Sequence, residues 1–414
     1  MTRRTWLNRS GALALAAVVA GCSSSTGPAA QQGSSARSAP STPTAAMQAA
    51  HGVQAQIGDV PWSQVGPGWT LAMWSPVTGK SAGETPAPGE PTTETSPTTL
   101  YLVDPAGGRY SITTFPPPGD GGNATKELVD WSGDGSHALF YTPYAEKQTA
   151  TTIDLRTGAQ TTVPVLGSPR YTRPEGKALL LSTWRSADGP ATLKRVDLAG
   201  NPQLTYPTDK LAAKFDGAYL STPDGTRLIV GTAAGLVLMG NDGAVGATLS
   251  IPDQKDCSPL RWWDGKAGTT VLAKCEGPQY VSRLWLVPIS GDAPSALTAP
   301  NDGQKGPDIG DLNAWQVPAG TFVQAAGGCG VVYLAKLNPD GTTTQVSVPD
   351  VDNHRSVSVI GVNGGHLDLH ASAACGGGQL LVDYDPVDNK SIVLLGGSVN
   401  GGGVGRAIAY PGQE

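Results

Sequence analysis

The chain contains little charge: Asp, Glu, Lys and Arg together make up 15% of its 414 residues. The 28 basic residues are outnumbered by 34 acidic ones, which gives a formal net charge of −6, and beyond the N-terminus the basic residues form no cluster. A nucleic-acid-binding protein needs a basic patch or stripe that meets the phosphates. The sequence therefore predicts that nucleic acid is not a partner.

Long apolar runs are also scarce. The clearest is GALALAAVVA, ten residues from Gly11 to Ala20, whereas a membrane-spanning helix needs ~20 apolar residues. The run follows an arginine-rich segment and ends just before Cys22. This order is typical of an export signal, so residues 1–21 are interpreted as a signal peptide.

The end of that run carries a motif of its own. Val19 to Cys22 read VAGC, which resembles the lipobox of bacterial lipoproteins. The resemblance implies that Cys22 is diacylated and becomes the mature N-terminus, so that the protein is held on the extracytoplasmic face of the cell membrane. Several acyl chains hold a protein far more firmly than one chain does. The alternative is an ordinary secretory signal that happens to contain Cys22.

The export route has two interpretations. Thr2 to Leu7 read TRRTWL, which resembles a twin-arginine signal with Trp6 where Phe is usual. That resemblance implies export of the folded protein. A plain basic region and the general export route is the alternative.

The segment that follows is low in complexity. Residues 22–55 consist mostly of Ser, Thr, Ala, Pro, Gln and Gly without a periodic apolar pattern, which predicts a flexible tether. Residues 56–414 are then long enough for one large all-β domain. The abundance of Gly and Ala in the whole chain is typical of a high-GC actinobacterial protein.

Beyond the tether, a unit repeats. The chain holds 55 Gly and 34 Pro, and short apolar runs alternate with turns rich in Asp, Asn, Gly and Pro, which is typical of an all-β protein. One hairpin occurs seven times, and its turns lie 43 to 50 residues apart; they are centred on Asp104, Asp154, Asp197, Gly240, Pro288, Asn338 and Asp385. A fixed period of this size with about four strands per unit predicts a single β-propeller of seven four-stranded blades.

A second turn precedes six of these hairpins, as in DWSGDGSHALFY and STPDGTRLIVG. Together with the later NDGA, this pattern resembles the WD40-like repeat of TolB-type propellers, although several units lack the full motif. The resemblance implies an architecture and no activity. TolB's own partners are not carried over, because this chain looks lipidated.

The strand that closes the ring has two candidate segments in the sequence. The C-terminal residues Arg406 to Glu414, RAIAYPGQE, look like a first strand and would pair into the first blade, which removes open sheet edges. Alternatively, Pro61 to Gly68 supplies that strand and the tail adds an extra one.

The cysteines are few. Without Cys22 an even number remains, namely Cys257, Cys275, Cys329 and Cys375, and in an exported chain this favours disulfides. Cys257 and Cys275 face each other across a predicted hairpin. Cys329 and Cys375 fall in equivalent loops of neighbouring blades, which predicts the second bridge. A metal site is the alternative, but the chain has no Cys-x-x-Cys pair.

Signatures of catalysis are missing as well. The sequence has no Gly-x-Ser-x-Gly, no His-Glu-x-x-His and no phosphate-binding Gly-x-x-x-x-Gly-Lys motif. In HLDLH, the side chains of His366, Asp368 and His370 share one face of a strand, but the outer two are ~13 Å apart, too far to chelate one ion. We expect these groups to form hydrogen bonds between blades.

Two acidic stretches and a pair of tryptophans are further candidates for a functional role. The acidic stretches Pro349–His354 and Asp383–Asn389 lack the spacing of an EF-hand and are interpreted as solvated turns. Trp262 and Trp263 adjoin Arg261 and are expected to pack in the core, although an exposed Trp could stack on a sugar or a partner.

The sequence thus predicts an anchored binding or scaffolding module of the cell envelope, with an envelope protein or a small ligand as its partner and no cofactor. The ligand face is expected on the loops that lead into each first strand, within 116–126, 206–217 and 299–311. The alternative is a propeller enzyme of the lactonase or glycan-lyase type, which needs His and carboxylate groups together in the channel, with His354, His366 and His370 as candidates. A solute-binding lipoprotein of an importer fits poorly, because such proteins are two-lobed α/β structures. Fold alone does not decide among these functions.

Overall fold

The computed structural model describes residues 49–78, 87–118, 126–143, 147–186, 189–278, 281–300, 310–327, 331–351, 356–373 and 377–412. These residues form β-strands and three short 3₁₀ helices, at Ile57–Asp59, Thr208–Lys210 and Gly265–Ala267. No helix in these ranges is long and apolar enough to cross a membrane. The signal, Cys22 and most of the tether lie outside the described residues.

The strands group into four-stranded antiparallel units, each named here in chain order. Unit 1 holds β2 (Thr70–Ser75), β3 (Thr98–Val103), β4 (Arg109–Phe115) and the last strand, β29 (Gly403–Ala409), with β1 (Gln54–Gln56) added at its outer edge. Unit 2 holds β5 (Glu127–Trp131), β6 (His137–Thr142), β7 (Thr149–Asp154) and β8 (Gln160–Pro164). Unit 3 holds β9 (Ser168–Tyr171), β10 (Ala178–Ser182), β11 (Leu193–Asp197) and β12 (Pro202–Thr205).

The remaining units follow the same pattern. Unit 4 holds β13 (Phe215–Ser221), β14 (Arg227–Thr232), β15 (Gly235–Gly240) and β16 (Val245–Leu249). Unit 5 holds β17 (Lys255–Trp262), β18 (Thr270–Glu276), β19 (Ser282–Pro288) and β20 (Ser295–Ala296). Unit 6 holds β21 (Asn313–Val317), β22 (Gly320–Ala326), β23 (Val332–Leu337) and β24 (Thr343–Gln345). Unit 7 holds β25 (Ser356–Asn363), β26 (His366–Ala373), β27 (Gly377–Asp385) and β28 (Lys390–Leu395). A single pairing, Thr232 with Cys257, joins units 4 and 5 into one sheet.

The cores lie between the units. Each of seven apolar clusters contains side chains from two successive units, and one of them joins unit 7 to unit 1 through Leu381, Leu394 and Val404. A sheet that buries both faces against neighbouring sheets in this way is a blade of a propeller. The predicted fold class, an all-β propeller, is confirmed.

The turns predicted from the repeat join the expected strands. Each of the seven repeated turns connects the third strand of a unit to its fourth, as Asp154 does between β7 and β8. The Asp side chain accepts hydrogen bonds from the backbone N–H groups of the turn: the Asp154 carboxylate from Arg156 and Thr157, and that of Asp197 from Ala199 and Asn201. This local bonding explains why Asp recurs there.

The C-terminal segment supplies the innermost strand of unit 1. β29 pairs antiparallel with β2, from Thr70 opposite Ala409 to Ser75 opposite Gly403. Pro61 to Gly68 form turns instead of a strand, so the first of the two sequence interpretations describes the closure. The first and last parts of the domain thereby share one sheet.

One boundary differs from the sequence interpretation. Residues 49–55, assigned to the tether from their composition, contact the propeller: β1 pairs in parallel with β4, and the Ala49 N–H donates to the Tyr110 hydroxyl at 2.8 Å. His51 also lies 2.9 Å from the Val393 carbonyl oxygen in unit 7. A three-residue edge strand has too little periodicity to be recognised in a polar, Ala-rich segment.

The turns between first and second strands pack against each other. A Cβ added to Gly133 would lie 1.6 Å from the carbonyl oxygen of Pro174, and one added to Gly225 would lie 1.9 Å from that of Arg173. Gly225 also has a φ of 71°. Glycine is required in these turns because units 2 and 4 both place backbone against the turn of unit 3.

The sulfur atoms of Cys257 and Cys275 lie 2.15 Å apart, at disulfide distance, between β17 and β18. Both residues are fully buried between units 4 and 5. Cys329 and Cys375, predicted to form the second bridge, lie outside the described residues.

Candidate functional site: the central channel

The inner strands surround a cavity of about 1120 Å³, called here the central channel. Residues of β5, β9, β13, β17, β25 and β29 line it, so the first strands of six units contribute. The lining runs along β13 from Gly217 to Ser221 and continues into the turn after it at Asp224. Five strand residues at ~3.3 Å each correspond to a length of ~16 Å.

The channel is more basic than the protein as a whole. Five of its lining residues are Lys or Arg, and two are acidic, Asp130 and Asp224. The whole chain has the opposite balance, with a net charge of −6. A narrow space with low-dielectric walls concentrates the field of such charges, so the channel favours anions.

One of these basic groups is neutralised inside the protein. Arg173 Nη2 lies 3.1 Å from Asp130 Oδ1, and their side chains are 22% and 6% exposed. The backbone N–H groups of Trp131 and Tyr171 also donate to the Asp130 carboxylate, at 2.9 and 2.7 Å. This ion pair therefore ties unit 2 to unit 3 and adds little net charge to the channel.

Two further arginines face the channel from strands that are distant in the sequence. Arg170 lies on β9 and Arg406 on β29, and both side chains are exposed to the solvent of the channel. Neither guanidinium forms a hydrogen bond or ion pair with another described residue. The surrounding protein and the charge of Arg170 lower the pKa of Arg406, while Glu127 acts in the opposite sense. The charge of Arg170 therefore acts on Arg406 within the channel, and neither has an ion-pair partner among the described residues.

Aromatic and hydroxyl groups line the same channel. The hydroxyl oxygen of Tyr219, on β13, is buried without a hydrogen-bond partner in the described part of the chain, and burial raises its pKa, so that it stays protonated at neutral pH. Trp184 lies where β10 has ended and is 64% exposed. An exposed indole at a channel mouth can stack on the organic part of a ligand.

His370 also lines the channel. Its Nε2 lies 2.5 Å from the carbonyl oxygen of Val404 in β29, so it links unit 7 to unit 1. Burial lowers its pKa, and the charge of Arg406 acts in the same direction. His370 is therefore neutral at pH 7 and holds the strand that carries Arg406.

The other two members of HLDLH, His366 and Asp368, interact with residues of their own unit, unit 7. His366 Nδ1 is 3.0 Å from Asp383 Oδ1, and Asp368 pairs with Asp383 across β26 and β27. Burial, and after it the charge of Asp383, raises the pKa of Asp368 to about 7. No group of three His, Cys, Asp or Glu side chains that could hold a metal ion occurs in the described ranges. His354 lies outside those ranges.

The remaining sequence candidates belong to turns and core. Asp385 accepts a hydrogen bond from the Val387 N–H in the turn of Asp383–Asn389, and Ser391 Oγ donates to the Pro349 carbonyl oxygen in the other acidic stretch. Trp262 Nε1 donates to the Ser221 carbonyl oxygen between units 4 and 5, and Trp263 packs against the core shared by units 5 and 6.

Only part of the predicted ligand face lies within the described residues. Gly217, in the loop of 206–217, lines the channel, whereas 119–125 and 301–309 lie outside the described residues. Sequence reasoning missed Arg170, Arg173, Arg406, Asp130 and Tyr219. For Arg170, Arg406 and Asp130 the available signal was a charged side chain within a first strand, as in "VGRAIAY".

Comparison with known proteins gives structural likeness alone. No known family profile and no curated protein matches the sequence. Among solved structures, TolB from Acinetobacter baumannii is 14% identical with a TM-score of 0.42; the match covers 69% of this chain and 66% of TolB, so just under two thirds of that protein is spanned. The propeller domain of the trilobed protease from Pyrococcus furiosus is 12% identical over 64% of this chain and 82% of that domain, with a TM-score of 0.43. The periplasmic gluconolactonase PpgL of Pseudomonas aeruginosa is 13% identical over 83% of this chain and the whole of that one, with a TM-score of 0.44.

Proposed function

We propose that this protein is a lipid-anchored binding module of the cell envelope that takes its ligand into the central channel. One observation supports the proposal above the others: a channel of about 1120 Å³ holds Arg170 and Arg406 without partners in the described chain. Unpaired like charges destabilise a protein when it is empty. Binding of an anion removes that repulsion, so the arrangement favours ligand binding.

The channel offers less support for the enzyme alternative. Hydrolysis or elimination needs a general base free to accept a proton. In the described chain, the Asp130 carboxylate is already held by Arg173 and two backbone N–H groups, and His370 Nε2 contacts a carbonyl oxygen. Those groups hold neighbouring strands in place, and we assign them no role in proton transfer.

Native mass spectrometry of the protein extracted from membranes tests the binding function. We expect a bound small molecule that is absent in Ala218→Trp, because Ala218 lines the channel and an indole there fills it. Ala199→Trp, in an exposed turn, is the matched control and keeps the ligand. Melting curves of both variants show whether each is folded. A ligand retained equally by folded Ala218→Trp would contradict the proposal.

Anchoring is tested separately. Cys22→Ala removes the thiol that the lipobox resemblance assigns to lipid, so we expect the variant in the soluble fraction and the parent in the membrane fraction. Membrane retention of Cys22→Ala would contradict the lipid anchor and leave channel binding untouched.

A further inference from the structure

The charges that face the channel do not balance. Asp130 neutralises Arg173 at 3.1 Å, and the lining residues Lys266 and Asp224 carry opposite charges. The Arg261 guanidinium lies over the Trp315 ring, 5.1 Å from its centre, and donates to the Ala314 carbonyl oxygen. Arg170 and Arg406 remain, and among described carboxylates the charge of Glu127 reaches Arg406 without forming an ion pair.

The unused polar groups around these arginines are hydrogen-bond donors. Each guanidinium presents N–H groups in a rigid fork that matches the oxygens of phosphate or carboxylate. Tyr219 lines the same channel, and its buried hydroxyl has no hydrogen-bond partner among the described residues, which is unfavourable. A ligand that suits this set bears a fully ionised group with several acceptor oxygens.

We propose that the channel binds a small soluble phosphomonoester, with Arg170 and Arg406 as the residues that hold its phosphate group. A phosphomonoester carries a charge of about −1.5 to −2 at pH 7, which matches the combined charge of the two guanidinium groups. A dicarboxylate spreads the same charge over two separate groups. This inference rests on the proposed function, because it names the ligand class of the same channel.

The channel accepts an organic part as well as the phosphate. Its volume of about 1120 Å³ slightly exceeds the ~300–1,000 Å³ typical of sites that hold small molecules. Trp184 offers an exposed ring at the end of the channel where β10 finishes. The ligand is therefore larger than inorganic phosphate.

A free solute fits the channel better than a lipid headgroup in a bilayer. Arg406 is the fourth of the seven residues of β29, and Arg170 the third of the four residues of β9. At one end of the channel the turns of units 2, 3 and 4 pack closely, as Gly133 and Gly225 show. A headgroup would have to leave its bilayer to reach both guanidinium groups.

Calorimetric titration of the whole mature protein tests the inference with defined probes. Glycerol 3-phosphate is the phosphomonoester, succinate is the dicarboxylate, and vesicles of phosphatidic acid provide the lipid-borne phosphate. We expect saturable binding of glycerol 3-phosphate that Arg170→Gln and Arg406→Gln each weaken ~10-fold or more, since a charged hydrogen-bond donor is lost. Arg227→Gln removes an exposed arginine outside the channel and is the matched control.

Melting temperatures keep the test independent of folding defects. Without ligand, Arg170→Gln and Arg406→Gln melt no lower than the parent, because like-charge repulsion is relieved, and glycerol 3-phosphate raises the melting temperature of the parent and of Arg227→Gln. Binding of succinate or vesicles in place of glycerol 3-phosphate overturns the inference, as does equal affinity in the two arginine variants. The proposed function would still hold if the copurifying ligand were lost from Ala218→Trp and kept by Ala199→Trp. Failure of the phosphomonoester inference can therefore be distinguished from failure of the proposed function.

Discussion

Asp130 and Arg173 join two neighbouring units of the propeller: Arg173 Nη2 lies 3.1 Å from Asp130 Oδ1, at the wall of the central channel. The same carboxylate accepts N–H groups from its own strand and from Tyr171 in the next unit. One buried side chain thus holds the backbone of unit 3 against that of unit 2.

Asp130→Asn is expected to lower the free energy of unfolding by about 2–4 kcal/mol, because it leaves a largely buried guanidinium without its counter-charge. Chemical denaturation of parent and variant measures the difference. Asp388→Asn is the control, since Asp388 pairs with Lys390 at 2.8 Å on the surface and such pairs contribute about 0–1 kcal/mol. Equal losses in the two variants would contradict the role assigned to Asp130.

Gly225→Ala is expected to destabilise the protein by more than the ~1 kcal/mol typical of a point substitution, because the added Cβ meets the Arg173 carbonyl oxygen. Gly58→Ala is the matched control, since nothing lies within 4 Å of its added Cβ. Differential scanning calorimetry compares the two. A melting temperature for Gly225→Ala equal to that of the control would show that units 3 and 4 separate readily at this turn.

These two sites show what sequence patterns can and cannot predict. The Gly of STPDG was predictable as a turn residue, because turn chemistry is local. Its second role, contact with the turn of unit 3, depends on a neighbour about fifty residues away. The Asp of DWSGDG likewise predicts a turn, whereas the partner of the first Asp in that stretch, Asp130, becomes visible only when two strands are placed side by side.

The central channel also combines a feature that the sequence predicts with one that it does not. Closure by the C-terminal strand was one of two interpretations of the sequence, because an apolar first-strand pattern recurs in "RAIAY". Arg170 and Arg406 carry no motif, and 236 residues separate them. Only the ring brings β9 and β29 to one space, so their combined charge could not be predicted from either segment.

The buried carboxyl of Asp368 predicts a pH dependence of stability. Burial raises its pKa to about 7 in the folded protein, above the ~3.9 of an unfolded chain. Between these values the folded state keeps a proton that the unfolded state loses, so stability falls as pH rises from about 4 to about 7. His366, whose raised pKa arises from Asp383 against the opposing effect of burial, acts in the same direction, because its charge stabilises the fold at low pH.

Asp368→Asn removes the Asp368 part of that dependence. We expect the variant to gain stability relative to the parent at pH 8 compared with pH 5, because the parent alone then holds a buried negative charge. Urea denaturation at the two pH values measures both proteins. A difference between variant and parent that is the same at pH 5 and pH 8 would show that Asp368 does not titrate in this range.

The Cys257–Cys275 pair closes a sequence separation of 18 residues, for which loop closure predicts a contribution of about 3 kcal/mol. The double variant Cys257→Ala/Cys275→Ala should lose about that much stability in denaturant. Thiol labelling under denaturing but non-reducing conditions should leave both cysteines of the parent unmodified. Labelling of either one without a reductant would contradict the bridge.

The most direct test of the account is a crystal structure of the protein with glycerol 3-phosphate. We predict a phosphate group in the central channel, with oxygens ~2.7–2.9 Å from nitrogens of both Arg170 and Arg406, the length of a charge-assisted hydrogen bond. A phosphate bound elsewhere on the propeller, or an empty channel in which Arg406 pairs with Glu127, would contradict it.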